Sequence, residues 1–177
     1  MAKWIIDNDH SVVAFSIRHM MIAHVRGQFN KIVGEIIFDP KNITGSSVEL
    51  RIEASSVMTG IGKRDDHLRS QDFFDVNTYP DILFKSTHID YVEGNHANVT
   101  GNLTLHGVTR QITLSTEFTG PVIDPFGDGE SMGFIASGKI NRKEYGMEWN
   151  QPMADNGIML GWDIELFIDL EADKAFE

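Results

Sequence analysis

Residues 99–118 have the sequence VTGNLTLHGVTRQITLSTEF, in which two runs of alternating apolar and polar residues are separated by His106-Gly107. Alternation with a period of two is typical of a β-strand that has one buried face and one solvated face. A short glycine-containing link between two such runs predicts a hairpin. This stretch therefore predicts two adjacent antiparallel strands that share an apolar face.

The same period extends through most of the chain. Further alternating runs cover residues 13–17, 25–38, 48–53, 82–88, 132–141 and 162–170. The run over 25–38 changes phase around Asn30-Lys31, which indicates a β-bulge that bends one long strand. About eight strands predict a sandwich or a closed barrel, and strong strands in the first and last segments favour closure because their pairing removes exposed edges. We also expect a short turn of helix within residues 19–24 and a helix over Lys63–Phe74.

Length and composition limit the class of protein. A chain of 177 residues predicts a single domain over 1–177. The net charge of -11 argues against nucleic-acid binding and also disfavours docking on anionic lipid headgroups. Cysteine is absent, which excludes disulfides, thiolate metal sites and cysteine nucleophiles. No apolar run approaches the roughly 20 residues needed to span a bilayer, so we predict no stable membrane insertion.

Sequence motifs for catalysis are missing. The chain contains no His-Glu-x-x-His, Walker loop, dinucleotide fingerprint or Gly-x-Ser-x-Gly elbow. Asp65, Asp66, Asp72 and Asp75 could act in acid–base chemistry, but capping and solvation of a helix are the favoured interpretation. The acidic loop over 124–130 lacks the EF-hand spacing and indicates a turn. We predict no catalytic residue, no metal site and no cofactor.

Six fragments, in order along nearly the whole chain, resemble the YceI-like family. They are Trp4-Ile5-Ile6-Asp7 with His10-Ser11 and Phe15; His19 with Val25-Arg26-Gly27-Gln28-Phe29 and Gly34-Glu35-Ile36; Asp65-Asp66-His67-Leu68; Asp72-Phe73-Phe74-Asp75-Val76 with Tyr79-Pro80, Phe84 and Ser86; residues 101–109; and Ile140-Asn141-Arg142 with Tyr145-Gly146. The resemblance implies an all-β, antiparallel, eight-stranded, lipocalin-like barrel with one or two short helices and a long interior pore. It further implies binding of polyisoprenoid lipids or other long-chain amphiphiles, frequent export and frequent homodimers.

The predicted function is non-catalytic binding, transport or storage of a long-chain isoprenoid or fatty amphiphile inside the barrel. The expected wall residues are Phe15, Phe29, Phe38, Phe84, Phe134, Trp149 and Trp162. The expected contacts to a polar head near one mouth are His10, His19 and Arg142. A guanidinium suits a phosphate or carboxylate head, and an ion pair with a nearby Asp or Glu is the equal alternative for Arg142.

Two alternative functions remain compatible with the sequence. The inward faces could fill a solid core and leave a ligand-free interaction module, or a buried His–Asp pair could make the protein an enzyme that acts on a hydrophobic substrate. Product beyond one equivalent per chain would identify the enzyme. The start Met1-Ala2-Lys3 shows no signal peptide, which favours the cytoplasm for the chain as it stands and the periplasm or secretion if a signal was removed.

Overall fold

A computed structural model describes residues 1–127 and 129–176. Asp128, part of the acidic loop considered above, and Glu177 lie outside the described residues. The described strands are β1 (Ala2–His19), β2 (Ala23–Phe29), β3 (Ile32–Phe38), β4 (Ser47–Glu53), β5 (Val57–Met58), β6 (Asp81–Glu93), β7 (His96–Leu105), β8 (Val108–Ile123), β9 (Glu130–Asn141) and β10 (Leu160–Lys174). They are accompanied by the α-helix α1 (Gly62–Arg69) and by 3-10 turns at Ile43–Gly45, Ala54–Ser56 and Arg142–Tyr145.

The sheet closes into an antiparallel barrel of eight strands. Their order is β1-β3-β4-β6-β7-β8-β9-β10, and β10 pairs back with β1, so that Phe15 lies opposite Leu166. This pairing confirms the predicted all-β barrel and rules out a sandwich. Closure leaves no free edge in the barrel wall, which is the physical gain expected from joining the first and last strands.

One bent strand runs beside β1 for its whole length. β2 pairs with the second half of β1 and β3 with its first residues, and the break between β2 and β3 falls at Asn30-Lys31. The predicted phase change at this dipeptide is therefore confirmed. β5 continues the sheet beyond β2, with Met58 opposite Gln28. The predicted helical turn over 19–24 is wrong, because β1 and β2 are joined there by a tight hairpin.

A bulge interrupts β1 where its partner changes from β3 to β2. The pairing with β10 shifts register between Asp7 and Val12. Asn8 Oδ1 accepts a hydrogen bond of 2.6 Å from the Ile32 N–H, and Ser11 Oγ accepts one of 3.0 Å from the Glu171 N–H. These side chains replace the ladder hydrogen bonds that the bulge removes.

The two ends of the barrel differ. The upper end carries the β1–β2 turn, α1 and the segment 142–160, and the lower end carries the chain termini and the β8–β9 connection. The lower end has a packed floor, since Trp4, Met132 and Ala172 are at most 3% exposed. In the described part of the chain, α1 is the single α-helix, and no helix there has the length and apolar character to cross a membrane.

Glycines on the inner wall make room for aromatic rings. A Cβ atom on Gly101 would lie 2.5 Å from Cζ of Phe84, and one on Gly27 would lie 2.4 Å from Cζ of Phe15. The rings can therefore lie flat against neighbouring strands. The alternation over residues 82–88 predicts that the even-numbered residues of β6 face inward. This holds only as far as Ser86, because a register shift then turns His88 outward and buries Ile89 instead.

Candidate ligand-binding cavity

The interior of the barrel is not filled by its side chains. A cavity of about 550 Å³ extends between the two ends. Phe134 and Ile140 both line it and lie six residues apart on β9, which corresponds to roughly 20 Å of strand and roughly 15 Å along a barrel axis tilted by about 40°. Residues of α1 line it above that level. The cavity is thus elongated, since a sphere of this volume would measure only about 10 Å across.

The lower and middle parts of the cavity are apolar. At the lower end the ring centroid of Phe38 lies 5.0 Å from that of Phe118 and 5.5 Å from that of Phe134. Above these rings the wall is formed mainly by aliphatic side chains from all around the barrel, including Leu50, Ile52, Leu103, Leu105, Ile112, Leu114, Ile140, Ile164, Leu166 and Ile168. Such a wall favours a hydrocarbon and provides few polar partners to any group placed there.

The charged and imidazole side chains that line the cavity lie at its upper end. They are His19, Lys63, Arg64, His67 and Arg142, whereas Ser46 and Thr116 are the hydroxyl-bearing residues lower in the wall. The cavity therefore has one apolar end and one end with cationic and imidazole groups. This polarity matches an amphiphile whose head is rich in hydrogen-bond acceptors or negative charge.

Hydrogen bonds tie α1 to the residues before it. The buried Asp65 carboxylate accepts 2.8 Å and 2.6 Å bonds from N and Oγ1 of Thr59, and Arg64 Nε donates to the same Oγ1 at 2.7 Å. Arg69 donates to the carbonyls of Ser55 and Val57. Asp65 lies in the first turn of α1, where an acidic residue offsets the helix dipole as predicted, and Asp66 is solvated as predicted. Asp65 does not cap the helix, because its carboxylate binds Thr59 and the cap residue is Ile61, without a side-chain bond.

Aromatic contacts join the α1 segment to the opposite side of the upper end. The His67 ring stands edge-on to Trp149 with centroids 4.8 Å apart, and Phe73 lies 5.4 Å from the same indole. His67 Nε2 is 2.7 Å from Asp72 Oδ2, which fixes the orientation of the imidazole. His67 and Trp149 both line the cavity, so this cluster forms part of its upper wall.

Arg142 is a buried cation at the cavity wall, only 1% exposed. Its guanidinium donates to the carbonyls of Gly161, Met147, Trp149 and Leu160 at 2.9, 2.7, 2.8 and 3.4 Å. The Trp162 ring covers it with the centroid 4.4 Å from Cζ. Burial lowers the pKa of Arg142 to about 10, which leaves the group charged at neutral pH.

The fold and the cavity agree with a known family. The YceI-like domain model matches residues 4–172. The chain belongs to the YceI-like family. The resemblance predicted from the six fragments is thereby confirmed.

Individual relatives of this YceI-like protein cover most of its length. A UPF0312 protein of Vibrio cholerae is 36% identical over 149 residues, which are 83% of this chain and 78% of the relative. The crystal structure of a Campylobacter jejuni YceI protein is 29% identical with a TM-score of 0.74, covering 90% of this chain and 91% of that one. A polyisoprenoid binding domain from Saccharophagus degradans shares the fold at 16% identity, with a TM-score of 0.69 and coverage of 99% and 100%.

The structure brings eight of the ten predicted ligand-binding residues to the cavity. They are Phe15, His19, Phe29, Phe38, Phe84, Phe134, Arg142 and Trp149. The prediction that Trp162 lines the cavity is corrected, because its ring covers the Arg142 guanidinium instead. The alternative given for Arg142 was an ion pair with a nearby Asp or Glu, and Arg142 takes part in none of the ion pairs found among the described residues. Four of its five N–H groups instead donate to backbone carbonyls.

His10 is the second correction, since the β1 bulge places it on the outer surface of this YceI-like barrel. Its Nδ1 lies 2.6 Å from Asp7 Oδ2 and 4.0 Å from Glu171 Oε1. One ligand atom from each of these three side chains falls within 4.8 Å of the others, an arrangement that could hold a metal ion. The His10 side chain is 67% exposed, and the cluster has no connection to the cavity lining.

The contact between His10 and Asp7 predicts a shift in the pKa of His10 that can be measured. The hydrogen bond to Asp7, followed by the negative charges of Asp7, Glu171 and Asp9, raises the pKa of His10 above its usual 6.5. We expect Asp7→Asn to lower the pKa of His10, measured by NMR from the imidazole proton shifts. Because the folded-state pKa is the raised one, the contact stabilises the fold fully below pH 6.5 and loses this effect as pH rises through the raised value. An unchanged pKa in Asp7→Asn would contradict the assignment.

Proposed function

We propose that this protein binds a long-chain isoprenoid or fatty amphiphile, with the tail in the barrel and the head at the upper end. The observation that carries the proposal is the polarity of one elongated cavity, apolar from Phe38 to Leu166 and cationic at Lys63 and Arg142. A compact apolar ligand would leave the upper groups unused. A polar ligand would find few partners in the lower part.

Burial of the tail supplies most of the expected affinity. Each methylene moved from water into the cavity contributes about 0.8 kcal/mol before ordering costs, and a large ligand retains nearer 0.3 kcal/mol per heavy atom. Affinity should therefore rise with tail length until the tail reaches the floor near Phe134. Chemical selectivity along the tail should be low, because dispersion and burial distinguish only weakly between straight fatty chains and branched isoprenoid chains.

The head has a defined set of possible partners. Lys63 is exposed and forms none of the ion pairs found among the described residues. His19 and His67 add ring nitrogens at the same level, and one N–H of the Arg142 guanidinium is not committed to a carbonyl. Oxygen-rich heads such as phosphates or carbonyls fit these donors. The polyisoprenoid binding domain of Saccharophagus degradans, which has the same fold, supports an isoprenoid tail as the first class to test.

A non-catalytic carrier or storage role is part of the proposal. The catalytic alternative has one specific basis, the His67–Asp72 pair, because His67 lines the cavity and is held by a carboxylate at 2.7 Å. The edge-on contacts to Phe73 and Trp149 account equally for an ordered imidazole. Incubation with candidate amphiphiles distinguishes the two, since an enzyme would form product beyond one equivalent per chain and His67→Ala would abolish it.

Native mass spectrometry of the purified protein tests the proposal. We expect a stoichiometric adduct that organic extraction releases as a long-chain species, and uptake of added isoprenoids or fatty amphiphiles by the extracted protein. Competition against lipids of the expression host controls for unselective filling. A protein that is empty and takes up neither class of compound would refute the proposal.

A further inference from the structure

The charges that line the cavity differ in sign from those of the chain as a whole. The chain has 26 acidic and 15 basic side chains and a net charge of -11. The cavity lining contains Lys63, Arg64 and Arg142, and it includes none of the Asp and Glu residues in the described part of the chain. The lining therefore produces a positive field inside a protein that is acidic overall.

The carboxylates at the upper end offset this field only weakly. Asp65 accepts hydrogen bonds from Thr59, and Asp72 lies 2.7 Å from Nε2 of His67, so both are already paired. Other acidic residues at this end are exposed and do not line the cavity: Asp66, Glu144, Glu148 and Asp155. Water and salt screen such exposed charges, whereas charges that face an apolar cavity are screened much less.

Arg142 supplies a permanent positive charge at the cavity wall. It is buried, and although burial lowers its pKa to about 10, it stays charged at neutral pH. The backbone carbonyls and the Trp162 ring stabilise the cation through their dipoles and quadrupole, but they carry no opposite net charge. Arg142 takes part in none of the ion pairs found among the described residues. Its charge is therefore available to an anion inside the cavity.

Lys63 adds a second cation at the same end. Lys63 and His67 lie four residues apart on α1, so they share one face of the helix. His67 contacts the Trp149 ring at 4.8 Å, and Arg142 donates to the Trp149 carbonyl at 2.8 Å. Lys63 and Arg142 thus belong to one group of side chains around Trp149. The long, flexible stem of Lys63 lets its ammonium adjust to the position of a bound head.

We propose that the amphiphile is an anion whose carboxylate or phosphate-ester head is held by Lys63 in the positive field of Arg142. This inference rests on the proposed function and narrows it. A neutral alcohol, amide or carbonyl head can accept hydrogen bonds, but it leaves the positive charge of the lining without a counterion. Hydrogen bonds between ionised partners are roughly twice as strong as neutral ones. Lys63 is accordingly the residue that determines specificity for the charge of the head.

Ligands that share one tail test the charge of the head. They are dodecanol, dodecanoate and dodecyl phosphate, each used below its critical micelle concentration at neutral pH. Tryptophan fluorescence measures their dissociation constants, because Trp149 lines the cavity. We expect both anions to bind about tenfold more tightly than dodecanol. Equal affinity for the alcohol and the anions would overturn the inference.

Substitutions of Lys63 assign the preference to this residue. The ratio of anion affinity to dodecanol affinity should fall to about threefold in Lys63→Gln and to about one in Lys63→Glu. The matched control is Lys41→Gln, because Lys41 is exposed, does not line the cavity and forms none of the ion pairs found among the described residues. Circular dichroism verifies the fold of each variant. A ratio that Lys63→Glu leaves unchanged, or that Lys41→Gln lowers equally, would overturn the assignment.

Dodecanol separates failure of this inference from failure of the proposed function. If dodecanol binds and the anions bind no better, the cavity holds a neutral amphiphile, so the inference fails while the carrier function is retained. If none of these ligands binds and the protein also takes up no isoprenoid, the proposed function fails, and the inference fails with it. Tight binding of the anions that depends on Lys63 supports both.

Discussion

Replacing Ala136 by Phe is expected to weaken binding of a long-tailed amphiphile by roughly 50-fold while leaving a short-tailed one nearly unchanged. Ala136 lines the cavity on β9, one inward position above Phe134, with Thr116 and Ile168 as its neighbours across the sheet. A benzyl group there would fill the space of about three methylenes, worth about 2.4 kcal/mol of tail burial. The shorter tail ends above this level and does not meet the new ring.

The measurement is a series of dissociation constants for ligands that share one head and differ in tail length. Ile135→Phe is the matched control, because Ile135 is the preceding residue on the same strand but faces outward and is 55% exposed. We expect its length profile to follow that of the original protein. Equal loss for all tail lengths in Ala136→Phe would mean that the tail does not run down the barrel.

The inner wall was predictable because strand periodicity fixes the face on which a side chain lies. Phe38, Phe84 and Phe134 were placed inward by alternation and by family resemblance together, and they line the cavity. The alternation of apolar and polar residues carries no information about the distance between opposite walls of the barrel. The choice between a filled core and a cavity therefore needed the structure, as did the role of Gly101, whose missing Cβ accommodates the Phe84 ring.

Local irregularities explain the residues that sequence reasoning misplaced. The β1 bulge takes His10 out of the inward phase that Trp4 and Ile6 follow, and the inward face passes to Val13 and Phe15 beyond it. In β6 a register shift does the same for His88. Bulges are set by side-chain hydrogen bonds such as that between Asn8 and the Ile32 N–H, which join residues distant in sequence and leave no periodic signal.

The cations at the upper end were missed for a related reason. Lys63 and Arg64 lie in the first turn of a short helix that resembles a solvated surface element, and only the closed barrel places them at the cavity. One available signal was the absence of acidic residues from 54–64. Local charge along the chain would have indicated this end of the barrel, whereas the net charge concealed it.

Arg142→Met is expected to destabilise the fold by about 3–5 kcal/mol, since each buried carbonyl left without a donor costs about 1–3 kcal/mol and the losses are not fully additive. The carbonyls of Met147, Trp149 and Gly161 depend on this guanidinium, whereas that of Leu160 also accepts a 2.7 Å hydrogen bond from Asn150 Nδ2. A methionine fills similar space without replacing any donor. The hydrogen bonds hold the segment that carries Trp149 against β10. The variant should therefore also loosen the upper wall of the cavity.

Urea unfolding followed by tryptophan fluorescence measures the effect, with Trp162 reporting the loss of the stacked cation. The matched control is Arg51→Met, because Arg51 is exposed and forms one ion pair of 3.2 Å with Asp81, worth at most about 1 kcal/mol. Arg142→Lys should fall between them, since it keeps the charge but loses the planar fork of donors that reaches several carbonyls at once. A loss below about 1 kcal/mol in Arg142→Met would mean that water replaces the guanidinium, and that its charge serves the ligand rather than the fold.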